Sequence, residues 1–126
     1  MRIIGHGIDL VEVARIARML EAHQDRAIER LFTADERAEC AGDARAPARY
    51  AARFAAKEAA MKALGAGPAG GVNWKDFSVR NNAAGAPVLV VTGRAAEIAA
   101  GLGITGWSVS LTHTGEYAAA SVIATG

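Results

Sequence analysis

The sequence has one cysteine, three prolines and few aromatic residues, which make up 6% of its 126 positions. The single Cys40 excludes an internal disulfide and a cysteine-rich metal site, and a reducing cytoplasm fits this cysteine usage best. No apolar run reaches the roughly 18 residues that a membrane-spanning helix needs. Gly5, His6 and Asp9 interrupt the apolar N-terminus too early for a signal peptide. We therefore expect a cytoplasmic chain without a membrane segment.

Neither positive nor negative charge predominates in the sequence. Fourteen basic and thirteen acidic residues give a formal net charge of +1, which offers no general case for binding nucleic acid or a membrane surface. Hydrophobic residues make up 52% of the chain, a globular balance, and no solenoid-type repeat is present. The length suits one domain spanning residues 1–126. A core rich in small side chains favours additional support from an oligomer interface.

The N-terminal pattern predicts a strand that runs directly into a helix. Over residues 4–10 one strand face carries Ile4, His6, Ile8 and Leu10, and the other carries only Gly5, Gly7 and Asp9. This nearly bare face would let a ligand approach Asp9 closely. From Glu12 the apolar period becomes helical, and Arg15 and Arg18 point away from the apolar stripe. On this pattern alone, Asp9 is more often the cap of the following helix than a ligand-binding residue.

The remaining chain predicts further helices and two hairpins. Thr33 with Glu36 three residues later forms a capping box, and a long helix from about residue 47 to 64 ends at Gly65. The stretches "DFSV" and "PVLVV" predict one hairpin, and Thr92 then caps a short helix. A second hairpin follows from "WSVSLTH" and "EYAAASVIA". The fold class is therefore α+β, with a largely antiparallel sheet and one long helix.

Glu58 and Lys62 lie four residues apart on the long helix, a spacing that is usually an ordinary surface ion pair. If the end of the first strand meets this helix, however, Asp9 and Glu58 together offer the hard, incomplete oxygen set that Mg²⁺ accepts when phosphate and water complete its shell. The neighbouring cations, which are Lys62 on the same flank of the helix and Arg53 and Lys57 on the other, would then bind phosphate. The sequence thus predicts a magnesium and polyphosphate site at this junction.

Other chemical signals are weak. His113 ends an alternating strand, where a histidine is more often a satisfied edge of the core than a catalyst. His6, His23 and His113 lack zinc-ligand spacing. The glycines fit neither a dinucleotide fingerprint nor a Walker-type loop, and no serine lies in a nucleophile-elbow context. These classes of site are therefore not predicted.

Four segments together resemble the holo-[acyl-carrier-protein] synthase family, the small 4'-phosphopantetheinyl transferases. "GIDLVEVARI" is similar to the first family signature and "RFAAKEAAMKALGAG" to the second. "GAPVLVV" and "VSLTHTGEYAAASVIA" are similar to the strand and hairpin that follow. The resemblance spans nearly the whole chain in the family order.

The resemblance implies transfer of 4'-phosphopantetheine from coenzyme A to a serine of apo acyl carrier protein, with Mg²⁺, as part of fatty acid biosynthesis. It also implies a homotrimer whose active sites lie between subunits. The implied roles, residue by residue, are metal binding by Asp9 and Glu58; catalysis by Glu58 and Lys62; coenzyme A binding by Arg53, Lys62, Gly65, Pro87, His113 and Thr114; and carrier-protein docking by Arg15, with Arg18 and Arg26 as companions by position.

Two other functions compete with the transferase. One is a non-catalytic trimer that binds carrier protein or coenzyme A, which would have no need for the two metal carboxylates Asp9 and Glu58. The other is a magnesium-dependent hydrolase of nucleotide diphosphates that uses the same carboxylates. The hydrolase would release free 4'-phosphopantetheine without a carrier protein, so the products separate the two enzymes.

Overall fold

The structure, a computed structural model, describes the backbone of residues 1–126 and the side chains of all but Gln24. Strands and helices follow in the order β1 (Ile3–Glu12), α1 (Val13–Leu31), α2 (Ala34–Cys40), α3 (Ala46–Leu64), β2 (Phe77–Asn81), β3 (Pro87–Val91), α4 (Gly93–Gly101), β4 (Gly106–His113) and β5 (Tyr117–Thr125). Two short 3₁₀ turns, Pro68–Gly70 and Trp74–Asp76, lie between α3 and β2.

All strand pairs are antiparallel, which confirms the predicted α+β class. β5 lies between β1 and β4 in a three-stranded sheet, and β2 and β3 form a separate hairpin. The pairing of β1 with β5 joins the two ends of the chain, with Gly7 opposite Val122 and Asp9 opposite Ala120. The first strand is thereby held in the same sheet as the C-terminal hairpin, a long-range pairing that sequence periodicity does not reveal.

Helix α3 forms the centre of the core. It is buried on almost all sides, and its alanines let the sheet and the neighbouring helices approach closely. One sheet face packs on α3, whereas the other has no covering layer among the described residues. Ile8 and Leu10 on that second face are 64% and 66% exposed. The molecule thus has an uncovered and partly apolar sheet surface.

Local signals in the sequence locate most element ends. The capping box of Thr33 and Glu36 is confirmed, as is the end of α3 at Gly65, whose φ of 74° favours glycine. Thr92 does precede α4, but its side chain makes no capping hydrogen bond. The carboxylate of Asp76 instead accepts the N–H of Ala95, so the predicted Thr92 cap is wrong in its chemistry.

None of the described helices combines the length and the apolar character that a membrane crossing requires.

Candidate active site

Two glycines set the distance between β1 and α3. A Cβ atom on Gly5 would collide with the carbonyl oxygen of Ala63, and one on Gly7 with that of Ala59. The bare face predicted to admit a ligand is therefore filled by the helix backbone, and the prediction of an open approach there is wrong. Asp9 is the next residue on this strand face, and its carboxylate lies close to Lys62 and Glu58 of α3.

The side chains of Asp9, Glu58 and Lys62 form one cluster at this junction. The ammonium of Lys62 donates to the carbonyl of Ile8 at 2.9 Å and lies 3.4 Å from Oδ1 of Asp9. Partial burial and the negative charge of Asp9 raise the pKa of Glu58, while the positive charges of Lys62 and Arg15 oppose that rise. The structure thus brings Asp9 and Arg15 from the N-terminal segment together with Glu58 and Lys62 of α3.

The helix-cap interpretation of Asp9 is wrong. Helix α1 begins at Val13, and its N-cap is Glu12, whose side chain makes no capping hydrogen bond. The carboxylate of Asp9 lies on the opposite strand face from its neighbours Ile8 and Leu10, against α3. Its side chain is 18% exposed, so it is largely buried yet accessible to a small ion.

The donor set fits Mg²⁺. Two carboxylates offer hard oxygen ligands and leave the remaining coordination positions to water and substrate oxygens. Among the described side chains, no group of three or more histidine, cysteine, aspartate or glutamate residues is placed to hold a metal. This chemistry suits an ion that keeps several waters better than a fully enclosed structural metal.

A second cluster lies in a cleft of about 340 Å³ between α3, the β2–β3 hairpin and the end of β4. Arg53, Pro87 and His113 line this cleft, together with Glu39 and Arg49. The side chain of Arg53 is only 7% exposed and donates to the Glu39 carboxylate at 2.8 Å. His113 is exposed, so it is not the satisfied edge of a core that spacing favoured.

The two clusters lie on different sides of α3. Asp9, Glu58 and Lys62 do not line the cleft of Arg53 and His113. Arg53 and Glu58 are five positions apart on the helix, which turns them by about 140° relative to each other. One chain therefore presents two separate groups of predicted site residues.

The remaining two residues assigned to coenzyme A have clear structural roles. Gly65 ends α3 one turn beyond Lys62, and its N–H bonds to the carbonyl of Lys62 at 3.3 Å. The Thr114 hydroxyl accepts the N–H groups of Glu116 and Tyr117 at 3.2 and 3.0 Å, which fixes the β4–β5 turn next to His113. Both residues thus shape the backbone beside a predicted binding residue.

The exposed surface of α1 carries the three predicted docking arginines, Arg15, Arg18 and Arg26. Arg26 lines a groove of about 420 Å³ whose other walls include Met19, Arg30, Phe54 and Trp74. The rings of Phe54 and Trp74 stack with their centroids 5.2 Å apart.

Sequence reasoning missed this combination of an apolar floor and a basic rim. The spacing of Met19, Arg26 and Arg30 on one helical face was its only local signal.

Lys57 corrects a further prediction. Its side chain is fully buried, and its ammonium lies 2.6 Å from Glu36 and donates to the carbonyls of Trp74 and Phe77. It therefore cannot contact a phosphate from solvent. The basic residues around Glu58 thus divide into one structural lysine, Lys57, and the accessible Lys62.

Comparisons with known proteins show the family of the chain. Residues 5–122 match the family model described as the 4'-phosphopantetheinyl transferase superfamily. A holo-[acyl-carrier-protein] synthase of Koribacter versatilis is 50% identical over 121 residues, which cover 96% of this chain and 97% of that protein.

Two solved structures have the same fold. The holo-[acyl-carrier-protein] synthase of Neisseria meningitidis aligns with a TM-score of 0.88 and 30% identity, over 99% of this chain and 100% of that one. The enzyme of Helicobacter pylori in complex with coenzyme A aligns with a TM-score of 0.84 and 27% identity, over 95% of this chain and 99% of that one. The chain belongs to the holo-[acyl-carrier-protein] synthase family within the 4'-phosphopantetheinyl transferase superfamily.

Proposed function

We propose that residues 1–126 form a single-domain transferase that moves 4'-phosphopantetheine from coenzyme A to a serine of apo acyl carrier protein. The products are holo-acyl carrier protein and adenosine 3',5'-bisphosphate, and the reaction depends on Mg²⁺. The observation that carries the proposal is the cluster of Asp9, Glu58 and Lys62 at the β1–α3 contact. The family membership of the chain supports the same reaction, which we place in cytoplasmic fatty acid biosynthesis.

Asp9 and Glu58 would hold the magnesium ion, which would neutralise charge on the diphosphate of coenzyme A. Lys62 has an exposed ammonium beside Asp9, so it can bind a phosphate oxygen and stabilise charge on the departing bisphosphate. Glu58 is the candidate base for the serine proton, either directly or through a bound water. Positioning and charge neutralisation are the main demands of phosphoryl transfer.

Variants of the carboxylates test these roles. Asp9→Asn and Glu58→Gln keep side-chain size but remove charge, and each should lower kcat by roughly 10²–10³, as when one preorganised electrostatic element is lost. Glu12→Gln is the matched control, because Glu12 is exposed and makes no side-chain hydrogen bond at the start of α1. Near-normal kcat for either site variant would contradict the assignment.

The separation of the two clusters supports a homotrimer with active sites between subunits. Within one chain, the cleft of Arg53 and His113 and the carboxylates Asp9 and Glu58 lie on different sides of α3. A single ligand that contacts both groups would therefore bind the cleft of one chain and the carboxylates of a neighbouring chain. The uncovered sheet face with its exposed Ile8 supplies apolar surface for such an assembly.

Subunit mixing tests this arrangement directly. Asp9→Asn and Arg53→Met proteins, each inactive alone, should regain part of the activity when unfolded and refolded together, because some shared sites then contain two intact halves. Sedimentation velocity of the wild type should give the mass of three chains. Absence of restored activity in mixed trimers would place the whole site within one chain.

The α1 surface supports docking of the acidic carrier protein. Arg15 lies close enough to Glu58 to affect its charge state, so a carrier bound there would have its serine near the metal carboxylates. Arg18 and Arg26 extend the positive surface along the same helix, and the groove beside Arg26 offers an apolar contact. Complementary surface charge of this kind mainly accelerates encounter and fixes orientation.

Product analysis separates the transferase from the two alternatives. With coenzyme A and Mg²⁺, the transferase should release adenosine 3',5'-bisphosphate only when apo carrier protein is present. Free 4'-phosphopantetheine without carrier would identify a hydrolase. Binding of coenzyme A with no product under either condition would identify a non-catalytic protein.

A further inference from the structure

Glu39 is the one carboxylate among the described residues that line the Arg53 cleft. It lies near the end of α2, and its Oε2 accepts a hydrogen bond from Nη2 of Arg53 at 2.8 Å. Glu39 is about one-third exposed, whereas Arg53 is almost completely buried. The contact therefore supplies the counter-charge that a buried guanidinium needs.

Among the cations that line the cleft, Arg53 is the one that pairs with Glu39. Arg49 already has a partner outside the cleft lining, since both of its terminal nitrogens donate to the Asp43 carboxylate at 2.8 and 3.0 Å. His113 is exposed at the end of β4. Arg53 also has a buried Nε that makes no hydrogen bond, so part of its donor capacity is unused.

We propose that Glu39 weakens anion binding in this cleft by competing for Arg53, and that it thereby limits how tightly the enzyme holds coenzyme A and the bisphosphate product. This inference rests on the proposed transferase function, which assigns the cleft to coenzyme A. An incoming phosphate must share Arg53 with a fixed carboxylate, and that carboxylate also repels it. The repulsion acts on donor and product alike, because both carry phosphate groups.

Charge removal at this position provides the test. Isothermal titration of the purified protein with adenosine 3',5'-bisphosphate, and separately with coenzyme A, measures Kd without any need for turnover. Glu39→Gln keeps the size of the side chain and an acceptor for Arg53. We expect its Kd for both ligands to fall by roughly three- to tenfold at low salt, the range for partly screened charges a few ångströms apart.

Asp35→Asn is the matched control. Asp35 lies on the same short helix and pairs with the exposed Arg80, but it does not line the cleft. Its loss should leave both Kd values unchanged. The gain in Glu39→Gln should shrink as salt is raised, because screening weakens the interaction between partly exposed charges.

A higher Kd in Glu39→Gln would overturn the inference and make Glu39 a positioning residue for Arg53, and an unchanged Kd would overturn it by showing that the carboxylate does not affect binding. Thermal unfolding of Glu39→Gln beside the wild type distinguishes either outcome from a folding defect. If the wild type binds neither ligand, the proposed transferase function itself fails. If it binds both and the variant binds no more tightly, only the role of Glu39 is wrong.

Discussion

Replacement of Lys57 by methionine should destabilise the fold severely without touching the reaction site. The ammonium of Lys57 has three oxygen partners: Glu36 at 2.6 Å, the carbonyl of Trp74 at 3.2 Å and that of Phe77 at 2.5 Å. Burial lowers the pKa of Lys57, and the charge of Glu36 opposes that shift. Each of its three N–H groups thus has an oxygen acceptor.

The size of the effect follows from the burial of both partners. Glu36 and Lys57 have no exposed side-chain surface, so Lys57→Met leaves an uncompensated carboxylate in the core. Breaking such a pair from one side costs about 3–5 kcal/mol. The carbonyls of Trp74 and Phe77 also lose a hydrogen-bond donor, and each lost hydrogen bond costs about 0.5–1.5 kcal/mol. Against a total stability of about 5–15 kcal/mol, this loss is large.

Urea denaturation, followed by circular dichroism, measures the free energy of unfolding for three proteins. Lys57→Met should lose several kcal/mol, whereas Lys75→Met, which removes an exposed lysine, should lose little. The double variant Glu36→Gln/Lys57→Met should be more stable than Lys57→Met alone, because the orphaned charge is gone. A loss below about 1 kcal/mol for Lys57→Met would refute the reasoning about the buried pair.

Three further predictions concern other parts of the fold. Gly7→Ala forces β1 away from a carbonyl of α3 and should destabilise by about 1–3 kcal/mol in urea denaturation, whereas Gly101→Ala, which meets nothing within 4 Å, should be neutral. Burial raises the pKa of the Cys40 thiol to about 11. A thiol reagent at pH 8 should therefore label Cys40 only as the protein unfolds, and rapid labelling of the folded protein would contradict this prediction. Arg26→Glu should raise the Kd for acyl carrier protein at low salt, measured by titration, while Arg94→Glu on α4 should not; equal effects would move the docking surface away from α1.

The sequence predicts the elements well wherever the determining signal is local. Thr33 and Glu36 are three residues apart and cap α2 by themselves, and Gly65 ends α3 because its backbone takes a positive φ. Alternation likewise locates β4. These interactions form between residues that are close in the sequence, so the sequence pattern alone predicts them.

Long-range contacts could not be predicted in the same way. Glycine at positions 5 and 7 predicts a bare strand face, but only the folded chain shows that helix α3 fills it. Lys57 and Glu58 are adjacent and equally polar in the sequence, yet one is fully buried and the other faces the site. The difference arises because Glu36, twenty-one positions before Lys57, meets Lys57 in the core.

In the candidate site, too, local spacing was a poor guide to contacts between distant residues. The resemblance to a family named Asp9, Glu58 and Lys62, and the structure brings these three together. Spacing alone favoured a helix cap and a surface ion pair, because it carries no information on how β1 meets α3. The Arg53–Glu39 contact joins two helices and has no sequence signature at all.

The mass of the carrier protein tests the central claim most directly. Purified protein is incubated with coenzyme A, Mg²⁺ and an apo acyl carrier protein that an established transferase can modify, and the carrier is weighed by mass spectrometry. The proposed transferase function predicts a gain of one 4'-phosphopantetheine arm that disappears with a chelator and in the Asp9→Asn protein. An unchanged carrier mass, or an equal gain with chelator and with Asp9→Asn, would contradict it.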